Sequence, residues 1–221
     1  MVFRSPRVRS TFVAQLFVAV FAVGCSQGSA PPASVPPATA PPAPAPESGP
    51  PSVVGKAPAA KGGVATIVVL EPRGEATFPA QPRPPVMDQV SMTFIPATLL
   101  VRAGETTEFR NSDDVLHNVR VREEATKEPA FNVAIPTGQG FSFTFKRPGF
   151  YDVGCDIHPG MAAIVVAAPS PYAVIADMAG NFTIPDVAPG AYTAVAYSGA
   201  DKIERPIDVA KGPTQVSFEA P

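Results

Sequence analysis

The sequence predicts an all-β chain built as two sandwich units, and three observations carry that expectation. From Gly63 onward apolar residues recur with period two or in short runs, broken by Gly, Pro and Asp, the pattern of strands and turns. No stretch sustains the i, i+3, i+4 spacing of an amphipathic helix. Pro 29 and Gly 17 in 221 residues is an excess suited to a Pro-rich tract beside a turn-rich β protein, not to a helical bundle. Hydrophobic residues at 45% against 16% charged allow a sizeable core and exclude a disordered polyelectrolyte. The formal charge of −2 supplies no basic footprint, so no nucleic-acid partner is expected.

The first element, residues 1–24, reads as an export signal. Arg4, Arg7 and Arg9 precede an apolar run from Phe12 to Gly24, interrupted by Gln15. That run is too short for a membrane-spanning helix, which needs about 20 apolar residues. It ends Ala22-Val23-Gly24-Cys25, which resembles a bacterial lipobox; the resemblance implies acylation of Cys25 as the new N-terminus. The alternative is an ordinary signal peptide cut near Ala30, with Cys25 discarded. Losing the signal removes three of 17 basic residues and none of 19 acidic ones, moving the formal charge from −2 to −5. Residues 25–62 follow with repeated Pro-Pro and Pro-Ala pairs and read as a Pro/Ala-rich tether. Such composition favours a semi-rigid polyproline II spacer of ~3.1 Å per residue. The mature chain is therefore expected in the periplasm, lipid-anchored to the cell envelope at the outer membrane.

The first sandwich unit is expected over 63–168, with strands at 65–70, 90–94, 98–101, 105–110, 118–121, 141–146, 149–155 and 163–166. Phe141, Phe143 and Phe145 alternate with Ser142 and Thr144, placing three aromatics on one strand face. Arg102-Ala-Gly104-Glu105 and Lys146-Arg-Pro148-Gly149 are turn signals. Short strands at this spacing argue for an antiparallel sandwich. A second β unit is expected over 169–221, with strands at 172–176, 182–184, 192–197, 203–209 and 215–218, and with Asp177 and Asp186 as turn residues. At about 50 residues it is too small to be very stable alone, so it should pack against the first.

Scarcity sharpens the search for chemistry: the whole chain has two Cys, two His and no Trp. Four-thiolate zinc sites, multi-His clusters and disulfide frameworks are thereby excluded. Both His and the second Cys fall into one pattern, Asn111-Ser-Asp-Asp-Val-Leu-His117-Asn118 and Cys155-Asp-Ile-His158-Pro-Gly-Met161. A C-x2-H-x2-M loop between two strands can fold thiolate, imidazole and thioether around one point, and His117 can reach it from a neighbouring strand end. Two imidazoles, one thiolate and a weak axial thioether form the ligand set of a blue-copper centre. Taken singly, each residue has a plainer reading: a lone Cys is usually a small buried hydrophobe, a His scaffolding, a Met core filler. Met87 and Met92 are read as core filler. The coincidence of all four favours the metal.

At these residues the chain resembles the cupredoxins, the small blue-copper proteins. Phe94-Ile-Pro96, Val101-Arg-Ala-Gly104, Phe109-Arg-Asn111 and His117-Asn118 are similar to the first half of that family, and Pro148-Gly-Phe-Tyr151 leading into Cys155 to the second. The short ligand loop is similar to that of the amicyanins and shorter than that of the plastocyanins; it departs from amicyanin at Asp156 and Ile157. The resemblance implies a cupredoxin Greek-key β-sandwich holding one copper per chain. It implies His117, Cys155 and His158 as equatorial ligands, Met161 as the axial ligand, and Asn118 as the residue tying the His117 strand to the Cys155 loop. The C-terminal unit resembles the carboxypeptidase-regulatory-like, or transthyretin-like, β-sandwich on Asp177-Met-Ala-Gly180-Asn-Phe182-Thr-Ile184 and Pro189-Gly190-Ala-Tyr192. That likeness implies structure or surface attachment.

Electron transfer is the function expected: a mononuclear type 1 copper protein tethered in the envelope, meeting redox partner proteins at the edge of His158. The alternative is copper storage, delivery or sensing without rapid electron transfer, which would favour Met-rich or His-rich strings that the sequence lacks. An enzyme is not expected, because multicopper oxidases and nitrite reductases need more His ligands than two. A hydrolytic triad lacks a Ser in a nucleophile-elbow context. A catalytic zinc at Cys155, His117 and His158 would lack a nearby Glu base and leave Met161 without a role.

Overall fold

The computed structural model describes residues 49–218, and the expected signal segment, Cys25 and most of the tether fall outside them. The described residues fold entirely as strands and connecting turns, as the all-β expectation requires. In chain order the strands are β1 (Ser52–Lys56), β2 (Ile67–Pro72), β3 (Val86–Val90), β4 (Thr93–Ile95), β5 (Thr98–Arg102) and β6 (Thr106–Asn111). Then come β7 (His117–Glu123), β8 (Pro129–Ile135), β9 (Gly140–Thr144), β10 (Gly149–Gly154) and β11 (Ala162–Ala168). The last are β12 (Ala173–Ile175), β13 (Asn181–Ile184), β14 (Gly190–Ser198), β15 (Asp201–Val209) and β16 (Pro213–Ser217).

Two sheets make the first sandwich, β4-β3-β6-β9 and β5-β11-β10-β7-β8. Their shared core holds Met87, Phe109, Val119, Val121, Ile135, Phe145, Val153 and Val165, all nearly or fully buried. The alternating Phe141, Phe143 and Phe145 do face one way. They join Phe109, Phe131 and Tyr151 in a chain of ring contacts with centroids 4.6 to 6.4 Å apart. Pairs in that range contribute about 0.5–1.5 kcal/mol each beyond their buried area. The sandwich is not wholly antiparallel as expected. Strands β3 and β6 pair in parallel, as do β5 and β11, because the chain crosses to the other sheet between the two strands of each pair.

The second sandwich corrects the expected boundaries. Its sheets are β13-β1-β16 and β12-β2-β14-β15, so two of its strands come from residues assigned to the tether and to the first unit. Strand β1 pairs antiparallel with β13 and parallel with β16, and Val53 is fully buried, so the Pro-rich region cannot be a spacer through to residue 62. Strand β2 explains the misplaced boundary at 63. Ile67, Val68, Val69 and Leu70 are all buried, with Val68 and Leu70 in the core between the two sheets of this sandwich. Ile67 and Val69 face the other way and pack with Val166 and Ala168 of β11 and with Phe150 and Tyr197. Four sheets are therefore stacked, with β2 and β11 buried on both faces, which is why both read as continuous apolar runs and not as alternation.

Further differences are local. The strand expected at 90–94 is a hairpin, with Val90 paired to Thr93 across Ser91 and Met92. Strand β8, not expected, pairs along β7 at the sheet edge.

Candidate metal centre

The site is assembled at one end of the first sandwich. Strand β10 runs antiparallel to both β7 and β11, so its last residue, Gly154, lies beside Ala162 at the start of β11 and beside Arg120, three residues beyond His117. Cys155 follows β10 directly. The loop Cys155–Met161 is closed by the Gly154–Ala162 pair, with the Cys155 N–H donating to the Met161 carbonyl at 3.3 Å and the Met161 N–H to His158 at 3.4 Å. His117 opens β7 with no exposed surface.

The three side chains converge. His117 Nδ1 and His158 Nδ1 each lie 3.8 Å from Cys155 Sγ and 2.9 Å from one another. The donor atoms of these three residues all fall within 4.8 Å of one another. Thiolate and imidazole bonds of about 2.3 and 2.1 Å, meeting at a trigonal angle, put sulfur and nitrogen about 3.8 Å apart. The sulfur–nitrogen spacing therefore suits one ion shared among the three. Cys155 and His117 are buried and His158 is half-buried, so His158 is the most open of the three to solvent. Met161 is 5% exposed, a core residue at the end of the ligand loop.

Asn118 joins the two ligand-bearing segments. Its Oδ1 accepts the N–H of Asp156 at 2.7 Å and of Ile157 at 3.3 Å, and stands 3.3 Å from Cys155 Sγ; its Nδ2 donates to Asn132 at 2.8 Å. The acid beside the cysteine is engaged by three side chains. Asp156 accepts from Arg120 Nε at 2.6 Å, Asn132 at 3.0 Å and Asn118 at 3.1 Å. Arg120 above all, then Asn132, hold its carboxyl below the usual range.

Several contributing residues were not singled out from the sequence. Buried Asn111 donates to the carbonyls of Val115 and Ile135, both at 2.8 Å, and accepts the Asp113 N–H at 3.0 Å, which fixes the loop leading to His117. Asp113 Oδ2 accepts His117 Nε2–H at 2.9 Å. The run Asn111-Ser-Asp-Asp is rich in residues that bond their own backbone in turns, and that was the available signal. Met92 is not core filler: it is 44% exposed at the β3–β4 turn, whereas Met87 is fully buried.

Comparison with known proteins finds copper-binding relatives. Residues 85–167 match the family model for copper binding proteins of the plastocyanin/azurin family. An amicyanin of Paracoccus versutus is 29% identical over 102 residues, covering 46% of this chain and 76% of that protein. A chloroplastic plastocyanin of Fritillaria agrestis is 33% identical over 79 residues, of whose length this chain spans about half (48%), with 32% of this chain covered. Among solved structures, a Cu-containing nitrite reductase from Thermus scotoductus is 29% identical, with a TM-score of 0.36, covering 44% of this chain and 25% of that one. Family match and donor set together indicate copper, one ion per chain.

Proposed function

We propose that this chain is a type 1 copper electron-transfer protein, whose copper would be held by His117, Cys155 and His158 together with Met161. The observation that carries the reading is the convergence of two Nδ1 atoms and one buried Sγ within 4.8 Å. Bound there, copper supplies one-electron cycling between Cu(I) and Cu(II), because thiolate suits the soft ion and imidazole suits both. The chain's own residues supply the rest. Burial of His117 and Cys155 excludes water from two of the ligands. The Asn111 and Asn118 hydrogen bonds hold both ligand-bearing loops in one arrangement, so that a change of oxidation state needs little movement. Val115, Leu116 and Ile157 are 40–49% exposed on those same loops. Beside the half-buried His158 they offer a redox partner protein of the envelope an apolar surface for brief, weak contact.

The reading as a carrier and not an enzyme rests on ligand supply. Two His serve one centre and leave none for a second copper. The alternative is copper handling for storage, delivery or sensing, and slow electron self-exchange with ready copper release would favour it. The second sandwich, with its transthyretin-like resemblance, is read as a structural support. We read residues 1–24 as an export signal and Cys25 as the acylated residue, which would hold the mature chain in the periplasm on a lipid anchor, and the anchor is checked directly. The chain should partition with membranes, and Cys25→Ser should release it; a wild-type chain found only in the soluble fraction sinks the anchor.

The deciding measurement is the absorption and electron paramagnetic resonance of the copper-loaded protein. An intense visible band that bleaches on reduction is expected, together with its loss, and the loss of copper stoichiometry, in Cys155→Ala. A colourless copper-loaded protein, or unchanged stoichiometry in Cys155→Ala, would overturn the reading.

A further inference from the structure

Asp113 sits where two features of the molecule meet. Its Oδ1 accepts the backbone N–H of Ser91 at 2.6 Å, and its Oδ2 accepts that of Met92 at 2.9 Å. Those are the two turn residues of the β3–β4 hairpin, with φ of 52° and 60°. That conformation is normal for Gly or Asn in a two-residue hairpin turn and sparsely populated for Ser and Met. The turn persists because one carboxylate holds both of its amides. The same Oδ2 lies 2.9 Å from His117 Nε2, whose ring is fully buried. A carboxylate only accepts, so the Nε2 atom carries the proton and the lone pair is left on Nδ1, the atom facing Cys155 and His158.

We infer that Asp113 is the positioning residue that makes His117 a metal ligand. Its carboxylate fixes the Nε2–H tautomer, aims Nδ1 into the site and strengthens the ring's electron donation, and the hairpin in turn fixes the carboxylate. This inference rests on the copper reading of the site. Metal-bound imidazoles commonly donate their second ring N–H to an outer partner, and loss of that partner weakens metal binding about 10–100-fold. The carboxylate's negative charge favours Cu(II) over Cu(I), so removing it falls more heavily on the oxidised ion. Each tenfold differential loss raises a one-electron potential by about 59 mV.

The test compares Asp113→Asn and Asp113→Glu in the full chain. Without metal, nitrogen NMR of His117 should show the Nε2–H tautomer in wild type and in Asp113→Glu, and a shift towards Nδ1–H in Asp113→Asn. With copper, Asp113→Asn should raise the reduction potential by about 59 mV or more, and Asp113→Glu should restore most of it. Faster exchange of the Ser91 and Met92 amides with tautomer and potential unchanged would make Asp113 a turn clamp alone and overturn the inference. If Asp113→Asn does not fold, it is repeated in a Ser91→Gly, Met92→Gly background, which relieves the turn and leaves the carboxylate's effect on His117 to be read. A wild-type chain that takes up no copper would end the copper reading, while the metal-free tautomer would still decide the role of Asp113.

Discussion

Single carboxylates in this protein act through the donors they collect, and Asp177 shows the consequence away from the metal. It accepts from both the side chain and the backbone N–H of Asn181, each at 2.8 Å, and closes the turn before β13. Those hydrogen bonds, the Asn181 side chain foremost, hold its carboxyl below the usual range. A carboxylate whose folded pKa is depressed stabilises the fold above the unfolded value of about 3.9, and the contribution is lost as pH falls through the lower folded value. Asp177→Asn should therefore lower the urea midpoint at pH 7, and the gap to wild type should close below about pH 4. A gap that stays constant with pH would mean the charge contributes nothing. The copper spectrum should not change in this variant, since the turn belongs to the second sandwich. Asp113 and Asp156 collect donors in the same way, but His117 is among the donors to Asp113 and its neighbour Asn118 among those to Asp156, so their effects are expected at the candidate metal site.

At the scale of strands, legibility followed how many faces each one buries. The convergence of His117, Cys155 and His158 was legible because such donors are rare in this chain and the loop spacing is short. The strands flanking them alternate or carry a dense apolar run. The two continuous runs, β2 and β11, announced strands but not what lay on their second faces. Strand β1 was hidden by composition. Ser52–Lys56 has two valines in a Pro-rich neighbourhood, and its place is set by distant partners. A Cβ on Gly55 would stand 1.9 Å from the Val216 carbonyl, and one on Gly180 would stand 2.1 Å from that of Ala57. Those close approaches are invisible in local periodicity. Strand β8 begins at a proline and lies on a sheet edge, where a proline removes no needed donor, and its half-buried residues give a weak signal. Missing β8 also hid Asn132, a hydrogen-bond partner of both Asn118 and Asp156.

At the scale of the whole molecule, the stacking of four sheets makes the two sandwiches one folding unit, not two beads. Strand β2 is hydrogen-bonded to β12 and β14 of the second sandwich while Ile67 and Val69 lie against β11 of the first. A cut at residue 168, where the sequence placed the domain boundary, therefore removes both neighbours of β2. Val68 and Leu70 lose their core, and Phe150, Ile164 and Val166 lose the cover of Ala173 and Tyr197. Uncovering an aliphatic or aromatic side chain costs about 1.5–3 kcal/mol. Several at once approach the ~5–15 kcal/mol that holds an ordinary domain together. A 63–168 fragment should accordingly aggregate, or melt well below a chain spanning 49–218, even though it keeps all four proposed ligands. The comparison needs thermal denaturation followed by circular dichroism, with copper stoichiometry measured on the same samples. A soluble fragment with the melting temperature and copper content of the longer chain would show the stack to be incidental. A fragment that binds copper only when the remaining strands are supplied would make the second sandwich a structural requirement of the metal site, although its strands contribute no ligand to it.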